Sequence, residues 1–473
     1  MTTEAKQALP EPPPEQRRRE RRVISNIIRG SAGNLIEWYD WYAYTAFTVY
    51  FAHAFFPSGD QTAQLLNTAA VFAVGFLMRP IGGWLIGRYA DRHGRRAALT
   101  LSVSLMAGGS LVIAITPSYG TIGVAAPLLL IAARLLQGLS VGGEYSTSAT
   151  YMSEVAAPGR RGFYSSFQYV TLIAGQLSAL ALQIVLQNVL SENQMNSWGW
   201  RIAFVVGALG AVVVLWLRRG MDESESFVRV REAAEEAARD GARDGLRDGA
   251  RDGAKDGGRG SAQERGSLRM LLSYPKECLT VVGLTMGGTL FFYTYTTYLQ
   301  KFMINTSGID KPTAAWINFA ALSVFILLQP LAGALSDRVG RRPMLIAFGV
   351  LGAAVVVPSL TLLSRTSNPL YAFALMTLPL AISSLYTSIS AVVKAELFPT
   401  AIRALGVGLP YALTVAVFGG TAEYVALWFK DAGHESWYFW YVTGCVLISL
   451  CVYVRMRETS DNSPLEESRQ SAD

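Results

Sequence analysis

Twelve apolar stretches, each about 20 residues long, dominate the sequence and limit the possible folds more than any other feature. A helix of that length crosses the hydrocarbon core of a bilayer. Six stretches lie near residues 27–51, 66–90, 97–116, 122–148, 163–189 and 200–218. Six more lie near residues 271–300, 313–336, 344–363, 369–394, 405–429 and 436–456. The sequence therefore predicts an all-α polytopic membrane protein with twelve transmembrane helices.

Charged residues are few and unevenly placed. They make up 16% of the chain and hydrophobic residues 51%, whereas about a quarter of an average soluble protein is charged. The net charge of +6 would suit a nucleic-acid partner, but the arginines cluster before the first stretch and in alternate loops. Loops on the other side, such as Ala52–Gln64, carry no lysine or arginine. This positive-inside pattern predicts cytoplasmic termini and a surrounding lipid bilayer, with no nucleic acid.

A charged motif, Gly87–Arg96, stands between the second and third stretches and returns as a second charged motif, Gly333–Arg342. Both follow the pattern Gly-x-x-small-Asp-Arg-x-Gly-Arg-Arg, which indicates two similar halves in one chain. Asp91 would end a helix, where a carboxylate is unfavourable and needs an arginine or a neighbouring helix N-terminus as its partner. A contact of that kind can form and break, so we interpret the motifs as a gate rather than loops that only fix topology. The candidate gate residues are Gly87, Asp91, His93, Gly94, Arg95, Asp337 and Arg341.

The halves are flanked and joined by polar segments. We expect a cytoplasmic N-terminal arm (1–26), a first six-helix half (27–219), a linker (220–268), a second half (269–457) and a cytoplasmic tail (458–473). The linker repeats Arg-Asp-Gly and has little apolar content, so it is predicted to be a disordered cytoplasmic tether. The first stretch lacks a cleavage site and is interpreted as an uncleaved signal anchor.

Several motifs carry a family resemblance. The two charged motifs are similar to the loop signature of the major facilitator superfamily, and Arg134–Gly138 resembles its second motif. Gly33–Asp40, Gly75–Gly83 and Gly142–Tyr145 resemble the metabolite:proton symporter family, and Ser165–Thr171 and Tyr424–Leu427 resemble its 2-oxoglutarate carriers. The resemblance implies two pseudo-symmetric six-helix halves. It also implies proton-coupled import of a small organic anion, 2-oxoglutarate, across the inner membrane of a bacterium.

Arg79 is the first candidate for binding that anion. It lies twelve residues before Asp91, about 18 Å along a helix and hence near the middle of the membrane. A charged residue at that depth costs at least about 2.5 kcal/mol and is therefore a functional candidate. An arginine fork can replace the water shell of a carboxylate. The alternative is a structural salt bridge to a carboxylate on the first or fourth span.

Two carboxyl groups share one face of the first span. Glu37 and Asp40 lie three residues apart, and burial together with a nearby arginine would let one of them load and release a proton. Asp40 lies deeper and is the better proton-site candidate; a permanent ion pair with Arg134 or Arg79 is the alternative. The resemblance implies a coupling role for Arg134. For Glu144, a role in helix packing and a role as a proton relay are both open.

Further polar residues suit a wet cavity wall. Tyr293 and Thr297 on the seventh span and Thr387 on the tenth are candidate substrate contacts, as is Tyr42 among the aromatic residues of the first span. Arg201 follows two tryptophans at the outer start of the sixth span, where it would attract anions or anchor the helix at the interface. Lys394 and Glu396 are interpreted as gate or topology residues, and Glu423 is left unassigned.

The sequence leaves alternative functions open. A transporter of the same family for citrate, shikimate, proline or betaine is the nearest alternative, and a sensor that binds a metabolite without moving it is a more distant one. The sequence has no nucleophile–base pair, metal-ligand spacing or phosphate loop, so neither an enzyme, a cofactor nor a metal site is expected. We expect a monomer.

Overall fold

The computed structural model of the protein describes residues 14–57, 59–93, 95–142, 159–218, 271–399 and 402–459. These residues are helical almost throughout, and no strand occurs among them. Glu144, Gly94, the predicted linker and almost all of the predicted tail lie outside the described residues. The helices are labelled α1 to α12 in chain order.

The first six helices belong to the first half of the sequence. They are α1 (Pro14–Phe55), α2 (Gln61–His93), α3 (Arg95–Ile115), α4 (Ala125–Val141), α5 (Arg161–Val189) and α6 (Trp200–Arg218). A π-helical turn, Met195–Gly199, precedes α6. The first helix begins at Pro14, well before the predicted span at 27–51, because a helix can continue beyond the apolar stretch that crosses the membrane.

The second half repeats the arrangement with more interruptions. Its helices α7 and α11 each contain a π-helical turn, and α10 is broken once near Ile389. Their bounds are α7 (Pro275–Tyr293, Thr294–Tyr298 and Leu299–Asn305), α8 (Lys311–Val339), α9 (Arg341–Leu363), α10 (Pro369–Thr387 and Ser390–Glu396), α11 (Arg403–Thr414, Val415–Gly419 and Ala422–Asp431) and α12 (Glu435–Arg455).

Helix packing shows the two-fold relation between the halves. In the first half α1 packs on α5 and α6, α2 on α4, and α3 on α4 and α6. In the second half α7 packs on α11 and α12, α8 on α10, and α9 on α10 and α12. The contacts between halves are also related, because α5 meets α8 and α2 meets α11. Each half is therefore a bundle of its own, and two equivalent helix pairs join the two.

The surface of these bundles has the polarity that a bilayer requires. Large apolar side chains are exposed along the outside, as on α6 at Val205, Leu209 and Trp216. Asp40 and Arg134, in contrast, are completely buried. Among the described residues, nine helices are long and apolar enough to span a membrane, and two shorter apolar helices, Thr100–Ile115 and Ala125–Val141, lie between them.

Candidate functional site

Arg79 lies on the inner face of α2, next to the first helix. A Cβ atom at Gly142, which follows the end of α4, would stand 2.0 Å from the Arg79 carbonyl oxygen, so only glycine lets the chain approach this turn of α2. The Arg79 guanidinium carbon lies 3.8 Å from the ring centre of Phe76, 4.3 Å from that of Trp41 and 5.4 Å from that of Trp38. An aromatic box of this kind stabilises a cation through the negative faces of its rings.

The guanidinium retains unused hydrogen-bonding capacity. Arg79 is only 5% exposed, and its Nε and Nη2 atoms have no hydrogen-bond partner within the described part of the chain. Neither Asp40 nor any other described carboxylate lies within ion-pair distance of it. The salt bridge considered as an alternative role is therefore absent from the described residues. A buried donor without a partner is costly, so this arrangement favours binding of an anion.

Arg79 lines a cavity between the two halves. The cavity has a volume of about 40 Å³. Its lining comes from α1, α2, α4 and α5 on one side and from α11 on the other, and includes Asn34, Glu37, Trp38, Arg79, Gln168, Tyr169, Gly408, Tyr411 and Val415. That volume holds about three water molecules. Entry of a larger molecule therefore requires the halves to move apart.

Two of the predicted substrate contacts meet Arg79. Tyr293 of α7 lies beside the guanidinium and packs edge-on against Phe76, with 5.3 Å between ring centres. Tyr42 of α1 is near both Arg79 and Tyr293, and its buried hydroxyl has no hydrogen-bond partner among the described residues. Helices from both halves thus bring polar groups to the same cation.

The other predicted substrate contacts lie elsewhere. The Thr387 hydroxyl donates to Gln329 Oε1 at 2.9 Å, a contact between α10 and α8. Thr297 is buried in the π-helical turn of α7. Arg201 donates through Nη1 to the carbonyl oxygens of Ala114 and Thr116, at 2.7 and 2.6 Å, at the end of α3. Arg201 therefore caps a helix here and does not reach the cavity.

Asp40 is the centre of a hydrogen-bond network within the first half. Its carboxylate accepts hydrogen bonds from Ser110 of α3 and from the Gln137 amide of α4. Gln137 in turn accepts from Arg134 Nη1 at 2.8 Å. Asp40 and Arg134 are thus linked through an amide, and no direct ion pair joins them among the described residues. A carboxyl group held by neutral donors can gain a proton without leaving an unpaired cation in contact with it.

Arg134 and Glu37 complete the group. Arg134 is fully buried, 3.9 Å from the ring centre of Trp41 and 4.4 Å from that of Tyr44. Since the Arg79 guanidinium lies over Trp41 as well, one indole is shared by both cations. Glu37 lines the cavity, and Ser140 donates to its Oε1 at 3.3 Å. The predicted coupling residues that the structure describes therefore lie together, around α1, α3 and α4.

The second charged motif joins the two halves. The Asp337 carboxylate accepts from the backbone N–H groups of Gly162 and Phe163 at 2.7 and 2.9 Å, at the N-terminus of α5. Arg341 pairs with Asp337 at 2.9 Å, and both side chains are almost completely buried. Asp337 therefore has both partners that the sequence analysis proposed for Asp91, a helix N-terminus and an arginine.

Glycines allow this junction to close. A Cβ at Gly162 would lie 2.6 Å from the Gly333 carbonyl oxygen, and one at Gly333 would lie 2.5 Å from that of Gly162. Gly340 ends α8 with a φ of +97°, a left-handed conformation that favours glycine. In the first charged motif, Gly87 and Asp91 lie at the end of α2 and Arg95 begins α3. His93 stacks on Tyr89 of its own helix, with 4.2 Å between ring centres.

Comparisons with known proteins place the chain in a family. A protein-family sequence model described as "Sugar (and other) transporter" matches residues 26–470. The chain is 52% identical over 432 residues to the alpha-ketoglutarate permease of Escherichia coli strain K12, covering 91% of this chain and 93% of that protein. It is 32% identical over 441 residues to the citrate-proton symporter of Klebsiella pneumoniae, covering 91% and 92%. The chain belongs to the sugar (and other) transporter family.

Solved structures show the fold of this transporter. A crystal structure of a D-xylose-proton symporter superposes with a TM-score of 0.68 at 18% identity, covering 93% of this chain and 99% of that one. The transporter is a multi-pass membrane protein with the twelve-helix major facilitator fold, as the sequence predicts. Its relatives and structural neighbours are transporters, which agrees with the expectation that it is not an enzyme.

One buried ion pair of the transporter was not predicted from the sequence. Lys301 of α7 donates to Glu423 of α11, and their side chains are only 2% and 3% exposed. Glu423 is also an electrostatic neighbour of Tyr44, which contacts Arg134. The signal was a lysine inside an apolar stretch, but its partner lies on another helix, far away in sequence.

Proposed function

We propose that the protein is a proton-coupled symporter that imports 2-oxoglutarate by alternating access. The observation that carries the proposal is the Arg79 guanidinium, buried in an aromatic box at the cavity between the halves, with two nitrogens that have no hydrogen-bond partner among the described residues. A carboxylate would supply those partners. The 52% identity to an alpha-ketoglutarate permease supports this substrate.

The geometry suggests a role for each group. Arg79 binds one carboxylate, while Tyr42 and Tyr293 offer hydroxyl groups beside it. Asp40 is the proton site, and Glu37 and Arg134 assist it. Glu144 lies outside the described residues, and its role as a proton relay is taken from the sequence alone. The citrate-proton symporter at 32% identity makes citrate the second candidate, and the proline/betaine transporter of Escherichia coli, at 28%, makes a zwitterion the third.

Both ends of the interface between the halves are closed. At one end lie Asp337, Arg341 and the N-terminus of α5. At the other end Gln300 donates to Gln183 at 3.1 Å, and Lys311 pairs with Glu192 at 2.9 Å. Substrate would exchange as the halves rock and open one end at a time. We assign the first end to the cytoplasm, together with both termini, in a bacterial inner membrane.

Uptake into proteoliposomes tests the proposed function. An imposed inward proton gradient should accelerate uptake of labelled 2-oxoglutarate, and unlabelled 2-oxoglutarate should compete better than citrate, shikimate or betaine. In the Asp40→Asn variant the side-chain amide cannot bind and release a proton, so the proton gradient should no longer accelerate 2-oxoglutarate uptake. Binding without uptake in the unmodified protein would indicate a sensor. Strong competition by citrate or betaine alone would change the substrate.

Asp337→Asn should weaken the cytoplasmic closure. The variant loses a carboxylate at a helix N-terminus, which is worth about 0.3–2 kcal/mol, so the closed population should fall by about two- to thirty-fold relative to the open one. The measurement is maleimide labelling of Ser166→Cys, a buried position beside Gly333, after Cys278, Cys445 and Cys451 are replaced. Labelling should accelerate by that factor.

A matched control is available at the other end of α8. Asp310 accepts from the Thr313 backbone N–H at 3.0 Å and caps the N-terminus of the same helix. Asp310→Asn should leave the labelling rate of Ser166→Cys unchanged. Equal labelling rates of Ser166→Cys with and without Asp337→Asn would refute the role of Asp337 in closure.

A further inference from the structure

The cavity at Arg79 has a second buried cation behind its opposite wall. Tyr411 of α11 lines the cavity from the second half, and the Lys394 Nζ atom lies 4.1 Å from the centre of the Tyr411 ring. Lys394 is completely buried, and its Nζ donates to Ser390 Oγ at 2.7 Å. One aromatic ring therefore separates this ammonium group from a cavity whose other side carries a guanidinium.

The break in α10 places Lys394 at the junction of the halves. The helix ends at Thr387 and resumes as the short piece Ser390–Glu396. The Val392 backbone N–H of this piece donates to Ser165 Oγ of α5 at 3.3 Å. Helix α5 also contributes Gln168 and Tyr169 to the cavity. Lys394 thus lies on a segment that touches the first half where the cavity forms.

A ligand with two negative ends could contact both cations. A buried cation is costly in a membrane protein, and such residues mark the paths of ions and substrates. A dicarboxylate carries two charges at opposite ends of a short chain, and Arg79 can bind only one end. We propose that Lys394 binds the second carboxylate of the substrate when the Tyr411 ring moves aside. This inference rests on the proposed function, because it requires an anionic substrate with two carboxylates.

The two side chains differ in ways that suit binding to opposite ends of a dicarboxylate. The planar guanidinium of Arg79 is fixed by three rings and offers a rigid fork. Lysine has a flexible four-carbon stem and a compact charge, so Lys394 can follow a carboxylate as the halves move. With one cation on each half, a bound dicarboxylate would connect the halves. A monocarboxylate would engage Arg79 alone.

Selectivity between two substrates tests this inference. 2-Oxopentanoate has the same carbon chain as 2-oxoglutarate but lacks the second carboxylate. In the unmodified protein, kcat/KM should be much higher for 2-oxoglutarate. Lys394→Gln should lower the ratio of the two kcat/KM values (2-oxoglutarate over 2-oxopentanoate) by about 10- to 150-fold, mainly by raising the KM for 2-oxoglutarate. That factor corresponds to the loss of one hydrogen bond to a charged group. Lys394→Arg keeps the charge and should retain most of the ratio.

Controls separate the possible outcomes. Lys276→Gln removes an exposed lysine and should leave both substrates unaffected. If Lys394→Gln fails to fold, as judged by its elution profile and unfolding temperature in detergent, Lys394→Met provides the same test with an uncharged chain of similar length. An unchanged ratio, or an equal loss for both substrates, would overturn the inference while the proposed function stands. Absence of 2-oxoglutarate uptake by the unmodified protein would overturn both.

Discussion

Arg79→Lys should raise the KM for 2-oxoglutarate by about 10- to 150-fold, the value of a hydrogen bond to a charged group. Lysine keeps the charge but loses the planar fork that binds a carboxylate through two parallel hydrogen bonds. It also loses the flat surface that contacts Phe76, Trp41 and Trp38. Arg79→Met, which has no charge, should abolish measurable uptake. The measurement is initial uptake rate against substrate concentration in proteoliposomes.

The control for Arg79 lies on the same helix. Arg88 of α2 is exposed, and its guanidinium carbon lies 5.7 Å from the ring centre of Trp84. Arg88→Lys should leave KM unchanged, which shows that the effect belongs to the buried position. Unaltered uptake by the Arg79→Lys variant would exclude bidentate binding of the substrate carboxylate by Arg79.

Lys301→Met should destabilise the transporter by about 3–5 kcal/mol, because it leaves the Glu423 carboxylate buried without its cation. The double variant Lys301→Met with Glu423→Met removes both charges and should recover most of that loss. The free energy of unfolding is measured by denaturant titration in detergent micelles. A loss in the double variant as large as the sum of the two single losses would contradict direct pairing.

An exposed ion pair provides the comparison. Lys311 and Glu192 lie 2.9 Å apart, and their side chains are 20% and 70% exposed. Lys311→Met should change stability by only about 0–1 kcal/mol, since water screens such pairs.

Measuring 2-oxoglutarate uptake by the double variant of Lys301 and Glu423 tests whether the pair also has a role in transport. A stable double variant without uptake would mean that the transport cycle itself uses these charges, next to Tyr44 and Arg134.

The structure combines a closed cavity with polar groups that lack partners. At about 40 Å³ the cavity is too small for a metabolite, yet the Nε and Nη2 atoms of Arg79, which lines it, have no hydrogen-bond partner among the described residues. A buried donor without a partner is costly, so this site favours an anion that can accept its hydrogen bonds. The halves meet through α5 with α8 and α2 with α11, and these pairs are where opening must occur.

Several site residues were predictable because each is a charged residue at a position where burying a charge costs free energy. Arg79 and Asp40 stand out as charges inside apolar stretches, and the structure buries both, Arg79 at the cavity and Asp40 in the network beside it. The roles of all predicted site residues stay predictions. Arg201 was as conspicuous in sequence, but it bonds to the end of α3 because that helix leaves carbonyl oxygens without partners.

The sequence by itself determined the twelve helices, their grouping into two related halves and the charged motif that repeats between them. Those features depend on local length, polarity and repetition, which can be read along the chain. Only the tertiary structure decided which groups meet: Asp337 with the N-terminus of α5, Lys301 with Glu423, and Lys394 behind Tyr411. Such contacts depend on helix rotation and on where glycines let backbones approach, and neither follows from the spacing of residues within one helix.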